Sequence, residues 1–327
     1  MTGFSSLLPQ VPLGADGPLV GAQGLGCMGM SEFYGESDEA ESRATLDRAL
    51  ELGVTLFDTA DMYGLGANEA FLARFVRANR DRVMIATKFG YARSAERPDD
   101  WSLDNRPEFI RAAVERSLRR LGVERIDLYY MHRRDPGIPL AESIGAMADL
   151  VREGKVGHLG LCAVGADELR QAHALHPIAA LQSEWSIFTR DIERDVLPAA
   201  AELGVTVVPY SPLGRGMLTG RTFGTALAAD DARQNFPRFS AANLDANARL
   251  VETIEAIATG MAITPAQLAL AWLYARAAEA GVACVPIPGT RRRGRLEENL
   301  AAASLRPGAQ AMRALEPLAA AVQGVAV

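Results

Sequence analysis

Apolar runs of four to seven residues alternate with segments whose apolar positions recur every three or four residues. The first kind falls at 22–28, 54–57, 83–87, 126–131, 156–161, 179–182, 205–209 and 282–286, rich in Val, Ile, Leu and aromatics, and reads as buried strand. Helical patterns follow at about 67–79, 107–121, 140–153, 167–175, 192–203 and 265–280, with another after Gly294. An earlier helix is expected to start at Ser37 as N-cap, with Asp38, Glu39 and Glu41 at its positive end, and to reach about Leu52. Gly53, Gly122, Gly154, Gly204 and Gly281 stand where a helix should stop and a strand begin. Eight strand–helix units predict one α/β domain over 1–327, a (β/α)8 barrel of the TIM type, rather than an open sheet. Two additions decorate it. Residues 10–13 and 18–20 flank Ala15-Asp16-Gly17 as an N-terminal β-hairpin, and residues 211–242 show no period before an extra helical stretch at 244–258. A loop of that length in a barrel reads as a lid, placed after strand 7.

Composition narrows the class. The chain is 49% hydrophobic and 23% charged, with a net charge of −6, which suits a large core and argues against nucleic acid or an anionic membrane as partner. No signal-like h-region or membrane-length apolar run occurs, so the cytoplasm is expected. Cys27, Cys162 and Cys284 lie far apart and read as reduced, buried thiols. His173 and His176 have no carboxylate or cysteine near them in sequence, so no metal is expected. A homo-oligomer is left open.

Only two of the 34 basic residues are lysines, Lys88 and Lys155. Arginine replaces a surface charge readily but not a compact ammonium packed against a phenol or carboxylate. Gly24-Leu25-Gly26-Cys27-Met28-Gly29 has the spacing of a dinucleotide fingerprint, yet an aromatic loop follows it, not the helix that would meet a pyrophosphate. Close packing at a barrel mouth is the better reading of those glycines. Neither lysine has a tyrosine four residues before it, which removes the short-chain dehydrogenase arrangement.

Three successive strand ends carry polar groups. Asp58 and Tyr63 follow the second strand, Lys88 ends the third and His132 follows the fourth, so a parallel barrel brings all four to one mouth. They suit carbonyl reduction, in which negative charge develops on oxygen. Tyr63 would be the acid, Lys88 the group that lowers its pKa, Asp58 the anchor of that ammonium, and His132 a neutral donor that orients the carbonyl.

At this point the sequence resembles the aldo-keto reductase family over almost its whole length. The likeness rests on Gly24-Leu25-Gly26, on the run from Phe57 through Asp58 and Tyr63 to Gly64, and on Ala86-Thr87-Lys88 and Asp127-Leu128-Tyr129. It extends to Tyr210-Ser211-Pro212-Leu213-Gly214 and Ile287-Pro288-Gly289-Thr290, and residues 27–35 look like the bacterial and plant branch acting on small aldehydes. The resemblance implies NADPH as cofactor and a small-molecule carbonyl as substrate. It implies that Gln182 meets the nicotinamide carboxamide and Tyr210 its ring, and that Ser211, Leu213, Gly214 and Arg215 hold the pyrophosphate. Gly289, Thr290, Arg291 and Arg295 would grip the adenosine 2′-phosphate, with Glu298 and Asn299 on the adenine. Phe33, Tyr34, Trp101 and Phe188 would line the substrate pocket, with Arg215, Phe236 and Phe239 from the lid. One position departs from the family. Where Ser and then Asn or Glu usually hold the nicotinamide amide, this chain has Cys162-Ala163, a weak thiol and a methyl. That departure keeps an alternative alive, an NADPH-binding regulatory subunit with little turnover, similar to potassium-channel β-subunits.

Overall fold

The computed structural model describes residues 8–220, 227 and 231–325. Seven parallel strands form one sheet in chain order: β3 (Leu25–Gly26), β4 (Leu56–Asp58), β5 (Met84–Phe89), β6 (Ile126–Met131), β7 (Val156–Cys162), β8 (Ile178–Glu184) and β9 (Thr206–Tyr210). The antiparallel hairpin of β1 (Gln10–Pro12) and β2 (Leu19–Gly21) precedes them, with Val11 opposite Val20. Gly14 N–H donates to Thr206 Oγ1, which donates to Pro12 O, and Gly21 N–H donates to Thr55 Oγ1. Both threonines stand at strand starts, so the hairpin closes the N-terminal end of the barrel and leaves the C-terminal mouth open.

The expected eighth strand at 282–286 is a correction. It closes the barrel through single parallel bridges, Cys284 to Val207 and Gly289 to Gly26, without forming a regular strand. Val285 and Ile287 N–H groups reach Val207 and Pro209 carbonyls, but Pro286 and Pro288 between and beyond them have no N–H to continue a ladder. The first strand is likewise only Leu25–Gly26 of the expected 22–28. The fingerprint glycines do serve close packing, since a Cβ on Gly26 would lie 2.9 Å from Ile287 O.

Strand period two divides the core. Leu56, Ala86, Leu128, Tyr130 and Val208 face inward and cluster with Leu13 and Val20 of the hairpin. Phe57, Ile85, Phe89, Met131 and Leu161 face outward and join the larger cluster under the helices. Tyr130 fits inside the barrel because the neighbouring strand offers Gly160 beside it, where a Cβ would lie 2.4 Å from the ring.

The outer ring comprises α1 (Glu39–Glu51), α2 (Ala67–Ala78), α3 (Pro107–Leu121), α4 (Leu140–Arg152), α5 (Ala166–Leu175) and α6 (Val196–Leu203). The extra helix α7 (Ala241–Gly260) then precedes α8 (Pro265–Ala280) and α9 (Arg293–Ala301). The cap of α1 is Asp38, whose Oδ1 accepts from Glu41 N–H at 3.1 Å, and not the expected Ser37, whose hydroxyl bonds Ser42 Oγ instead. In the lid, short 3-10 turns at Gly214–Thr219, Ala232–Asn235 and Pro237–Phe239 lead into α7. The middle of the expected lid, 221–226 and 228–230, lies outside the described residues. Among the described residues no single helix is long and apolar enough to cross a membrane.

Candidate active site

The inward parity that places Leu56, Ala86 and Leu128 in the barrel also carries Asp58 and Lys88 to its mouth, and with them Cys162, Gln182 and Tyr210. Lys88 is wholly buried. Its Nζ donates to Asp58 Oδ1 at 2.5 Å and to Thr59 O at 2.7 Å, and lies 3.5 Å from Tyr63 Oη. The Tyr63 and His132 rings meet edge to face with centroids 5.9 Å apart. The four residues expected from the strand ends are therefore together. Gln182 was assigned to the nicotinamide carboxamide. Here its Nε2 donates to Asp58 Oδ2 at 2.7 Å, so Asp58 is held on one oxygen from the neighbouring β5 and on the other from β8 across the mouth.

Burial governs the electrostatics. Desolvation works to lower Lys88, but the Asp58 carboxylate beside it holds the ammonium above its ordinary pKa. Burial pushes Asp58 upward against the pull of Lys88 and Gln182. Burial also drives Tyr63 up to about 12, although Lys88 acts in the expected downward sense. The net direction is opposite to the expected lowering, and Tyr63 holds its proton. His132 is pushed well below its ordinary value, by burial first and then by Lys88 and Arg133, which makes it the neutral imidazole anticipated.

The loop bearing Tyr63 is tied at several points. Gly64 N–H donates to Glu32 Oε2 at 2.7 Å, and Glu32 in turn pairs with Arg93 at 2.7 Å. Arg93 also donates to Met62 O, while buried Asn68 bonds Thr59 Oγ1, Cys27 O and Ser31 Oγ. Sequence reasoning missed Glu32, Arg93 and Asn68. Each lies in a loop or the first turn of a helix, where spacing reports no partner.

The other half of the mouth is differently built. Cys162 is buried, and burial pushes its thiol up to about 12. Ala163 after it takes a positive φ of 51°. Ser211, Gly214, Arg215 and Gly216 also have positive φ, in a curled segment whose Gly214 and Gly216 N–H groups bond back to Ser211 O and Leu213 O. Arg215 lies over the Phe236 ring, and its Nε is buried with no hydrogen-bond partner. A curled loop with an unsatisfied guanidinium nitrogen fits an anionic group such as a pyrophosphate. Leu213 caps the 3-10 turn that follows.

Around the start of α9 the arginines divide. Arg293 pairs with Glu41, and Arg291 donates to the carbonyls of Gly29, Tyr34 and Gly35, pinning the aromatic loop. Arg292 and Arg295 are exposed. With Glu36, Asp38, Glu41 and Arg291, Arg292 borders a cavity of about 310 Å³. Thr290 Oγ1 accepts from Arg292 N–H, Asn299 is buried, and Glu298 O accepts from Gln267.

Of the expected pocket residues, Phe33 meets the Tyr63 ring edge to face at 6.4 Å and has a φ of 76°. Its carbonyl accepts from Ala232 N–H of the lid. Tyr34 lies under Arg233. Trp101 is 48% exposed, packs edge to face on Tyr91 and carries Arg93 over its ring. Phe188 and Phe239 are buried in the outer core.

Comparison with known proteins agrees with this architecture. Residues 23–319 match the model of the Aldo/keto reductase family. A probable aldo-keto reductase 1 of Glycine max is 43% identical over 298 residues, covering 90% of this chain and 84% of that protein. Among solved structures, a glycerol dehydrogenase from Gluconobacter oxydans superposes with a TM-score of 0.83 at 27% identity, covering 95% of this chain and 94% of that one. The holo form of an aldo-keto reductase from Bacillus halodurans gives 0.77 at 28%, covering 96% and 98%.

Proposed function

The chain belongs to the aldo-keto reductase family, oxidoreductases that use nicotinamide cofactors, and on that premise we propose that it reduces aldehydes, and ketones of similar size, to alcohols with NADPH. The observation that carries the reading is the buried ammonium of Lys88, bonded to Asp58 and Thr59 O and aimed at Tyr63 Oη. NADPH supplies the hydride when bound. The substrate carbonyl oxygen sits between Tyr63 Oη and the neutral imidazole of His132. Tyr63 gives its proton to that oxygen as negative charge develops there, and Lys88 stabilises the resulting phenolate until it is reprotonated. His132 orients the oxygen without competing for the proton, because its imidazole is neutral.

The residues on the opposite half of the mouth fit the cofactor. Arg215 and the curled segment from Ser211 to Gly216 take the pyrophosphate, and Tyr210 supports the ring. Thr290 and Arg295 at the head of α9 contact the 2′-phosphate that sets NADPH apart from NADH. Absorbance of the reduced nicotinamide, followed with a panel of aldehydes, tests the reaction. Oxidation with at least one aldehyde supports it, and none across the panel would favour a cofactor-binding regulatory module. Arg295→Ala tests cofactor choice: NADPH should weaken much more than NADH, and equal losses would remove Arg295 from the phosphate contact.

A further inference from the structure

Arg133 follows His132 directly and is half-buried at the barrel mouth. One terminal nitrogen donates to His132 O at 2.9 Å, and the other makes a long contact of 3.4 Å with Tyr210 Oη, with the guanidinium 5.9 Å from the Tyr210 ring centre. No carboxylate of the described residues pairs with it. Its near titratable neighbours are Tyr210, Cys162, Tyr91 and His132, none of them a carboxylate. The adjacent residue makes the contrast plain, because Arg134 turns away and is neutralised by Glu168 at 2.9 Å. Asp58, the carboxylate at the centre of the site, is occupied by Lys88 and Gln182. Glu184, farther along, accepts from Thr189 and faces Arg238.

A guanidinium with spare donors and no internal counter-charge, held beside the proton donor's partner, is a receptor for a carboxylate, which it meets with two parallel hydrogen bonds. Tyr210 and Cys162 lie on the cofactor side of it and Tyr91 on the substrate side. Tyr91 lies edge to face on the His132 ring at 5.2 Å and in turn packs edge to face on the half-exposed Trp101, a row of aromatic rings running outward from His132. We propose that Arg133 is a specificity determinant that selects carbonyl substrates bearing a carboxylate, short oxo acids with an aldehyde at the far end. This rests on the reductase reading above. The bonds made and broken are unchanged: hydride to carbonyl carbon, proton from Tyr63 to carbonyl oxygen, with the carboxylate a spectator on Arg133.

The test compares 4-oxobutanoate with its methyl ester, which has the same aldehyde and nearly the same length but no charge. The wild-type protein should show the higher kcat/KM for the acid. Arg133→Met should lower the acid-to-ester ratio by roughly ten- to a hundredfold, the range for losing a hydrogen bond to a charged group, and Arg133→Lys should recover part of it. Because the ratio is taken within each variant, a general loss of folded protein cancels. NADPH affinity is measured alongside by quenching of tryptophan fluorescence. An unchanged ratio, or equal losses for acid and ester accompanied by weakened NADPH, would overturn the proposal and move Arg133 to the cofactor. Absence of NADPH oxidation with any aldehyde in the wild type would instead overturn the reductase reading itself.

Discussion

Two arcs of one barrel mouth handle their polar groups in opposite ways. From β4 to β6 the groups are closed on one another: Lys88 is bonded to Asp58 and Thr59, and both oxygens of Asp58 have donors. From β7 to β9 and the segment that completes the barrel, Gln182 reaches across to Asp58, and the rest of the mouth is lined by a thiol, a methyl and a phenol. Arg215 Nε is buried there without a partner. Ala163, Ser211 and Arg215 hold left-handed backbone at φ 51°, 48° and 55°, which costs on the order of 1–3 kcal/mol at each non-glycine residue. The first arc is chemistry organised before any ligand arrives. The second leaves donors open, and it is the half that we propose receives the cofactor.

The largest effect that would break this contrast is on the closed arc. Lys88→Met leaves Asp58 buried opposite a methyl group, and should cost about 3–5 kcal/mol in urea unfolding, the range for orphaning one member of a buried pair. It should also abolish turnover. A loss below about 1 kcal/mol, like that of an exposed pair, would show that the arc is not held by this contact.

The open arc should respond in the other direction. Cys162→Ser combined with Ala163→Asn adds a hydroxyl and a carboxamide, and asparagine accepts a positive φ more easily than alanine. NADPH should bind several-fold tighter, since a hydrogen bond is worth about 1 kcal/mol net, and the fold should be no less stable. Titration with fluorescence detection reads the first and thermal unfolding the second. Weaker NADPH binding would mean that Cys162 and Ala163 do not face the nicotinamide.

The smallest effect concerns the ground beneath Tyr63. Asp61, half-buried near Glu69, is pushed up to about 8, by desolvation first and the Glu69 charge second. Its carboxyl binds a proton more tightly folded than unfolded. Its contribution to stability is therefore complete below the ordinary value of 3.8 and lost as pH rises through about 8. Asp61→Asn mimics the protonated form, so its Tm should match the wild type near pH 4 and exceed it by on the order of a few degrees at pH 9. Parallel Tm profiles would remove Asp61 from the titration.

How much of this was legible in the sequence depended on distance along the chain. Asp58, Lys88 and His132 could be read because each ends an apolar run, and a parallel barrel sets successive run ends side by side. The hairpin and α7 could be read for the same local reasons. The bond from Gln182 to Asp58 spans 124 residues, and no period in either strand reports it. Glu32 and Arg93 meet across two loops, and Arg133 was indistinguishable from Arg134 until the backbone turned one inward and one out. The net rise of the Tyr63 pKa depends on depth of burial, which a motif does not record. Two misses were locally avoidable. Pro286 and Pro288 could have warned against a regular eighth strand, and Asp38 beside Ser37 offered a second cap candidate that won.

The central claim, that Tyr63 carries the proton while the rest of the mouth only positions it, meets its most direct test in Tyr63→Phe. Measured together, NADPH affinity should be unchanged within about twofold, because the ring and its packing remain, while turnover of a good aldehyde should fall by at least about a hundredfold, as when a positioned acid is removed. Turnover that survives the loss of the hydroxyl would contradict the claim.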